Sequence, residues 1–231
     1  MQHFKGVIFD MDGCLVDSEP LCLQAIADEM RTLGVRNVTA DEIGARFLGV
    51  SMATIETYAA ERLGHDVPDD FAALIEDKLI RRYRDELVLI EGVDPLLRQL
   101  TLTGHVLGLA TGASVRRMRS TLEISDLADH FGARAVSAEH VKAGKPEPDV
   151  FLEAARRMGL DPSVCLVVED SPHGILAATR AGMSSVGFVG GSHLKGREKE
   201  HAKTLVQAGA AQVFDDLNEL SGFVLPTSGV R

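Results

Sequence analysis

GVIFDMDGCLVDSE, residues Gly6–Glu19, is the stretch on which the reading of this chain turns. Val7, Ile8 and Phe9 form a short apolar run without polar alternation, the pattern of a strand buried on both faces. Two carboxylates, Asp10 and Asp12, follow one residue apart, and Gly13 comes next. Burying an unpaired carboxylate is expensive, so acids at the edge of a core imply a cation, a phosphate-handling site or a proton-transfer site. Gly13 lets the chain turn sharply there with no side chain in the way.

Similar strand-like runs recur later in the chain. VLGLAT (Val106–Thr111) reads as a strand that ends in a hydroxyl, with Gly112 behind it. Ala135–Ser137 reads as a further short strand, CLVVED (Cys165–Asp170) as a buried strand ending in acids, and SSVGFVG (Ser184–Gly190) as another. Helical stretches lie between them. Ser114 is a good N-cap for SVRRMRSTLEI. Phe151, Leu152, Ala155 and Met158 share a helical spacing within Asp149–Met158. In SPHGILAATRAG, Pro172 suits the first turn and Gly182 the stop. Strands alternating with helices predict an α/β fold built on a doubly wound parallel sheet.

Residues 20–89 break this rhythm. They are helix-rich and contain no convincing strand. Pro20 opens one helix, Thr39–Glu42 matches a capping box for a second, and Phe71–Leu87 reads as a third. Lys78 and Arg81 on the third, with Arg46, read as solvated charges. The expected organisation is a core of residues 1–17 and 90–231 with a helical domain, 18–89, inserted after the first strand. Asp94-Pro95 is expected to begin a core helix, with Asp94 as cap. The tail LSGFVLPTSGVR (220–231) is expected to be partly disordered.

Hydrophobic residues make up 45% of the 231 and charged residues 25%, a globular composition with a substantial core. The net charge of -10 argues against a nucleic-acid partner. Cys14, Cys22 and Cys165 form no C-x-x-C pair and are odd in number, so a reducing cytoplasm is the expected setting. MQHFKG has no signal-peptide pattern, and no apolar run approaches the roughly 18 residues of a membrane span, so no membrane role is expected.

Four features follow strands or lie in loops: Asp10-x-Asp12-Gly13, Thr111-Gly112, Lys145-Pro146 and Glu169-Asp170. In an open parallel sheet, groups at the carboxyl ends of strands meet at the ligand crevice. Together they suit phosphoryl transfer. A carboxylate can attack phosphorus, but the repulsion between two anions then requires a hard cation and a lysine. Asp10 and Asp170 can ligate Mg2+. Thr111 and Gly112 can hold phosphoryl oxygens, and Lys145 can offset charge. Asp12 can protonate the leaving alkoxide and later activate water. His173 reads as a surface residue at a helix start, and Arg116 and Arg117 as solvent-facing.

DMDGCLVDSE, ATGAS, KAGKPEPDVF and VVEDSPHG, in this order, resemble the four motifs of the haloacid dehalogenase superfamily. The helical insert resembles that superfamily's small α-helical cap, as in the phosphoglycolate phosphatase and β-phosphoglucomutase group. The resemblance implies a Rossmann-like core and a Mg2+-dependent phosphatase. Asp10 would be nucleophile and metal ligand, and Asp12 general acid/base, lending its backbone carbonyl to the metal. Thr111 and Lys145 would bind the phosphoryl group, and Glu169 and Asp170 would form the acidic metal motif. Gly49 and Ser51, in a part of the cap that faces the active site in relatives, are candidate substrate contacts. The implied partner is a small phosphorylated metabolite, a sugar phosphate or sugar-acid phosphate first, and the implied state is a monomer. SEPLCLQAI with RFLGVSMATI looks most like the sugar-phosphatase members, including 6-phosphogluconate phosphatase.

Three positions depart from the pattern. Cys14 replaces the commonest threonine, and Gly112-Ala113 stands where many relatives have an asparagine. Cys22 replaces the histidine of the mutase branch, which counts against the alternative of a phosphosugar mutase. Asp12 counts against the metal-free dehalogenases. A non-catalytic phosphometabolite-binding protein is the other alternative. A receiver domain would place its acid pair before the acceptor strand and would carry no large insert.

Overall fold

A computed structural model of the chain describes residues 4–47 and 52–224. The chain divides into two compact units, Met1–Asp17 with Val88–Arg231, and Ser18–Leu87. The second joint falls at Val88 rather than at residue 90 because Val88–Ile90 is tied to the segment Leu15–Asp17. Asp17 N donates to Val88 O and Ile90 N to Leu15 O, both at 3.0 Å. An antiparallel bridge joins Val16 and Leu89.

Strand β1 (Gly6–Phe9) opens the larger unit, and the smaller unit follows as α1 (Glu19–Thr32), α2 (Ala40–Phe47), α3 (Met52–Leu63) and α4 (Phe71–Glu86). Pro20 lies in the first turn of α1, where its missing N–H costs nothing. The apolar stripes of α1 (Ala25, Ile26, Met30) and α4 (Ile75, Leu79, Tyr83) are buried, and the two helices pack together. Thr39 caps α2 by accepting from Glu42 N at 3.1 Å. The box is not closed, because the Glu42 carboxylate instead takes Tyr58 Oη at 2.5 Å and Arg62 at 3.0 Å, linking α2 to α3. Lys78 departs from the expected solvated charge. Its ammonium lies 2.7 Å from Glu29, whose side chain is 3% exposed, so α4 supplies the cation that a buried acid on α1 needs. Arg81 is exposed, as expected.

The larger unit continues with α5 (Val93–Leu102), β2 (Val106–Thr111), α6 (Val115–Ile124), α7 (Ala128–Phe131) and β3 (Ala135–Ser137). Then come α8 (Asp149–Met158), β4 (Cys165–Glu169), α9 (Pro172–Arg180), β5 (Ser184–Phe188), α10 (Glu198–Ala208), β6 (Val213–Phe214) and α11 (Leu217–Val224). The strands form one six-stranded sheet in the order β3-β2-β1-β4-β5-β6. All its pairings are parallel. The apolar run of β1 makes it a central strand, buried at every residue, between β2 and β4. Ile8 and Val167 pack against Phe151, Ala154 and Ala155 of α8 and Ala177 and Ala178 of α9.

Two helices differ from expectation. α5 is entered through Gly92 at φ +88°, so Asp94 lies inside the first turn and pairs with Arg98 at 2.9 Å instead of capping. The tail is helical through Val224, with Leu220 and Val224 buried. Phe223 packs against Phe214 and Phe4, at centroid distances of 5.7 and 6.5 Å. Residues 225–231 lie outside the described residues. Among the described residues no helix is long and apolar enough to cross a membrane.

Candidate active site

The parallel sheet sets the carboxyl ends of β1, β2 and β4 side by side. Phe9 is in register with Leu109 and with Val168, and Asp10 N donates to Val168 O at 2.9 Å. Asp10, Thr111 and Glu169 therefore emerge on one rim. Behind Asp10 the chain closes a tight turn, with Gly13 N donating to Val16 O at 2.9 Å. Gly13 has φ +77°, and a Cβ there would overlap the Asp170 carboxylate, so the position demands glycine on two counts.

Lys145, in the loop before α8, reaches back to this rim. Its Nζ lies 2.5 Å from Asp10 Oδ1 and also bonds Glu169 Oε1. The Phe151 ring centroid is 5.1 Å from the ammonium, a further cation-stabilising contact. Two buried carboxylates share one ammonium, so the group keeps a residual negative charge. Burial pushes the Asp10 carboxyl well above its ordinary range; Lys145 opposes the rise, and Glu169 and Asp170 add to it. Burial acts to lower the Lys145 value, but Asp10 and Glu169 outweigh it and hold the ammonium charged.

Glu169, expected with Asp170 in the acidic metal motif, is engaged by the chain's own groups. One oxygen takes Lys145, and Oε2 accepts from Ser171 N at 2.8 Å and Ser171 Oγ at 3.0 Å. Ser171 Oγ in turn accepts from Gly174 N at 3.0 Å and caps α9. Glu169 thus ties Lys145 to the start of a helix. A Cβ on Gly174 would overlap its carboxylate. Gly174→Ala is therefore expected to cost about 1–3 kcal/mol of stability through overpacking, read as a lowered urea midpoint. An unchanged midpoint would mean that Glu169 can move aside freely.

Asp10, Cys14 and Asp170 each offer one ligand atom, all within 4.8 Å of one another. Burial first, then Asp170 and Asp10, push the Cys14 thiol well up, so it stays protonated and the donors left to a cation are carboxylate oxygens. That set, with residual negative charge around it, fits a hard divalent ion. The Asp12 carboxylate is outside this group. Its Oδ2 accepts from Arg117 Nη2 at 3.0 Å.

Arg117 thus contradicts the expectation of a solvent-facing side chain; it is 20% exposed and points into the rim from the first turn of α6. Arg116 is exposed, as expected. Thr111 is 1% exposed and accepts from Ala113 N at 3.1 Å, which holds the Gly112 turn open at the rim. His173 is exposed at the start of α9. Gly49 and Ser51 lie outside the described residues.

Two histidines join the site without having been expected there. His193 Nε2 lies 3.2 Å from Asp170 Oδ2, and His201 Nε2 lies 2.6 Å from the Asp170 carbonyl oxygen. The available signal was VGGSHL: a glycine pair after a core strand marks a turn on the same rim as Asp10.

The family model for haloacid dehalogenase-like hydrolase matches residues 4–182. Hexitol phosphatase B of Escherichia coli (strain K12) is 34% identical over 189 residues, covering 80% of this chain and 83% of that protein. Fructose-1-phosphate phosphatase of the same strain is 31% identical over 195 residues, covering 80% of this chain and 96% of that one. A crystal structure of a haloacid dehalogenase-like protein from Agrobacterium tumefaciens superposes with a TM-score of 0.79 at 31% identity, over 96% of this chain and 97% of that one.

Proposed function

The chain belongs to the haloacid dehalogenase-like hydrolases, and on that premise we propose that it is a Mg2+-dependent phosphatase of a small phosphorylated metabolite. The substrate class proposed is a sugar phosphate or sugar-acid phosphate, in keeping with the names of its hexitol and fructose-1-phosphate phosphatase relatives. The observation that carries the reading is the pairing of Asp10 with Lys145, with Asp12 two residues on and Asp170 within metal-sharing distance.

In this reading the Asp10 carboxylate attacks phosphorus. The P–O bond to the alcohol breaks, and Asp12 gives its proton to the leaving oxygen. Asp12 then takes a proton from water, which attacks phosphorus. The bond to Asp10 breaks, phosphate leaves and the carboxylate is restored. Lys145 holds Asp10 in place and offsets charge on the phosphoryl group, and Thr111 with the Gly112 turn receives its oxygens. Glu169 positions Lys145. Asp10, Asp170 and the Asp12 backbone carbonyl would hold Mg2+, which when bound neutralises charge on the phosphoryl oxygens. The helical unit acts as a cap that excludes water, and Gly49 and Ser51 are its proposed substrate contacts. A monomeric state and a cytoplasmic setting belong to the same reading. The latter is supported by Cys14, Cys22 and Cys165, none of them in a disulfide among the described residues, with Cys14 and Cys165 buried.

The test is phosphate release from a panel of phosphomonoesters. Release is expected with Mg2+, at background in EDTA, and again after Mg2+ is restored, with hexose and hexitol phosphates ahead of phosphoglycolate. Release that ignores EDTA would overturn the metal role. No release from any compound, with isomerisation of a hexose phosphate instead, would assign the chain to the mutases. Cys22 in place of their histidine argues against that outcome.

A further inference from the structure

His193 has no part in the chemistry above, yet it is built into the rim. It follows β5, after Val189, Gly190 and Gly191, in the turn Ser192–Leu194. Its side chain is 4% exposed. Two glycines leave the space its ring fills. A Cβ on Gly13 would come 2.8 Å from His193 Cε1, and a Cβ on Gly191 would come 2.7 Å from Cε1 and Nδ1. The turn is anchored by Ser192, whose N and Oγ donate to Asp17 Oδ1 at 3.3 and 2.8 Å. What the ring meets is the Asp170 carboxylate, at 3.2 Å from Nε2 to Oδ2. The Asp170 carbonyl is held separately, by His201 of α10 at 2.6 Å.

A carboxylate on a short side chain turns readily about its last bond. A donor on one oxygen fixes the plane of the group and the direction of the other oxygen. Groups that hold ligating carboxylates in this way set how much orientational freedom is lost when a cation binds. We propose that His193 is a positioning residue of the cation site, donating Nε2–H to Asp170 Oδ2 so that Asp170 faces Asp10 ready for Mg2+. The proposal rests on the reading of Asp10 and Asp170 as Mg2+ ligands. His193 does not touch the substrate; it acts through Asp170.

The experiment is isothermal titration of Mg2+ into EDTA-stripped, dialysed full-length protein, with Mn2+ counted by electron paramagnetic resonance as a second probe. His193→Phe fills the ring space without a donor. His193→Gln returns an amide N–H at similar reach. His193→Phe is expected to weaken Mg2+ binding about 10–100-fold, and His193→Gln to recover most of the loss. The metal-free thermal midpoints should match in all three proteins, so a general loosening of the fold would show separately. Wild-type affinity in His193→Phe would overturn the proposal, as would a Gln variant no better than Phe. Absence of Mg2+ and Mn2+ uptake by the wild type would overturn it together with the metal reading, and the wild-type arm alone distinguishes that case.

Discussion

Asp10→Asn is expected to abolish phosphate release while leaving the protein at least as stable as its parent. The substitution keeps the shape of the side chain and removes the nucleophile. Loss of a covalent-catalysis nucleophile lowers turnover on the order of 10^4–10^6-fold. Stability should move the other way. Asp10 is 6% exposed, and burial is the largest cause of its raised pKa, ahead of the opposing Lys145 charge. The fold therefore disfavours the ionised form. A carboxyl raised above its ordinary 3.8 in the folded state costs stability as pH rises through and beyond that value. Asparagine removes the cost, and Lys145 keeps Glu169 as a partner. Urea midpoints in EDTA should thus be equal or higher for Asp10→Asn at neutral pH, the gain shrinking as pH falls towards 4. A variant that retained turnover would end the proposal of Asp10 as nucleophile. One that lost midpoint at neutral pH would show that the Lys145 pair outweighs the burial cost.

Lys145→Met should damage both properties at once. The ammonium is shared by Asp10 and Glu169, whose side chains are 9% and 1% exposed. Removing one partner of a buried ion pair costs about 3–5 kcal/mol, because the charges left behind have no compensation. Turnover should fall about 10^2–10^3-fold, the usual loss when an electrostatic stabiliser of the transition state is deleted. The two variants are coupled. In the Asp10→Asn, Lys145→Met double variant one of the orphaned charges is gone. Part of the stability should therefore return while activity stays absent, a non-additive cycle read from three urea curves. Additive losses would show that Lys145 stabilises the rim by packing on Phe151 rather than by charge.

The parts of the fold that were legible were those with strong local signals. β1, β2 and β4 announce themselves because strands buried on both faces must be apolar throughout. α8 spans the expected Asp149–Met158 and ends at Gly159, at φ +70°. β6 is two residues long, too short to carry a period, and it exists because it pairs with β5. α11 reads as a mixed tail until Phe223 is seen to pack on Phe214 of β6 and on Phe4, a residue at the other end of the chain. Gly92 entering α5 at φ +88° replaced Asp94 as the start of that helix, a choice made by backbone geometry rather than by capping preference.

The site divides along the same line. Asp10, Asp12, Thr111, Lys145, Glu169 and Asp170 could be picked out from one chain because each stands at a strand end or in a rim loop, and the parallel topology brings such positions together. The sequence by itself therefore determined the doubly wound fold, the helical insert and the inventory of acids, hydroxyl and lysine. Only the tertiary structure decided their partners. It turned Arg117 onto Asp12, engaged Glu169 with Lys145 and Ser171, and brought His193 and His201 to Asp170. The positions of strands and helices follow from hydrophobic pattern over several residues. The direction of one side chain depends on neighbours far away in the sequence: the Arg117–Asp12 pair is separated by 105 positions and the His201–Asp170 pair by 31.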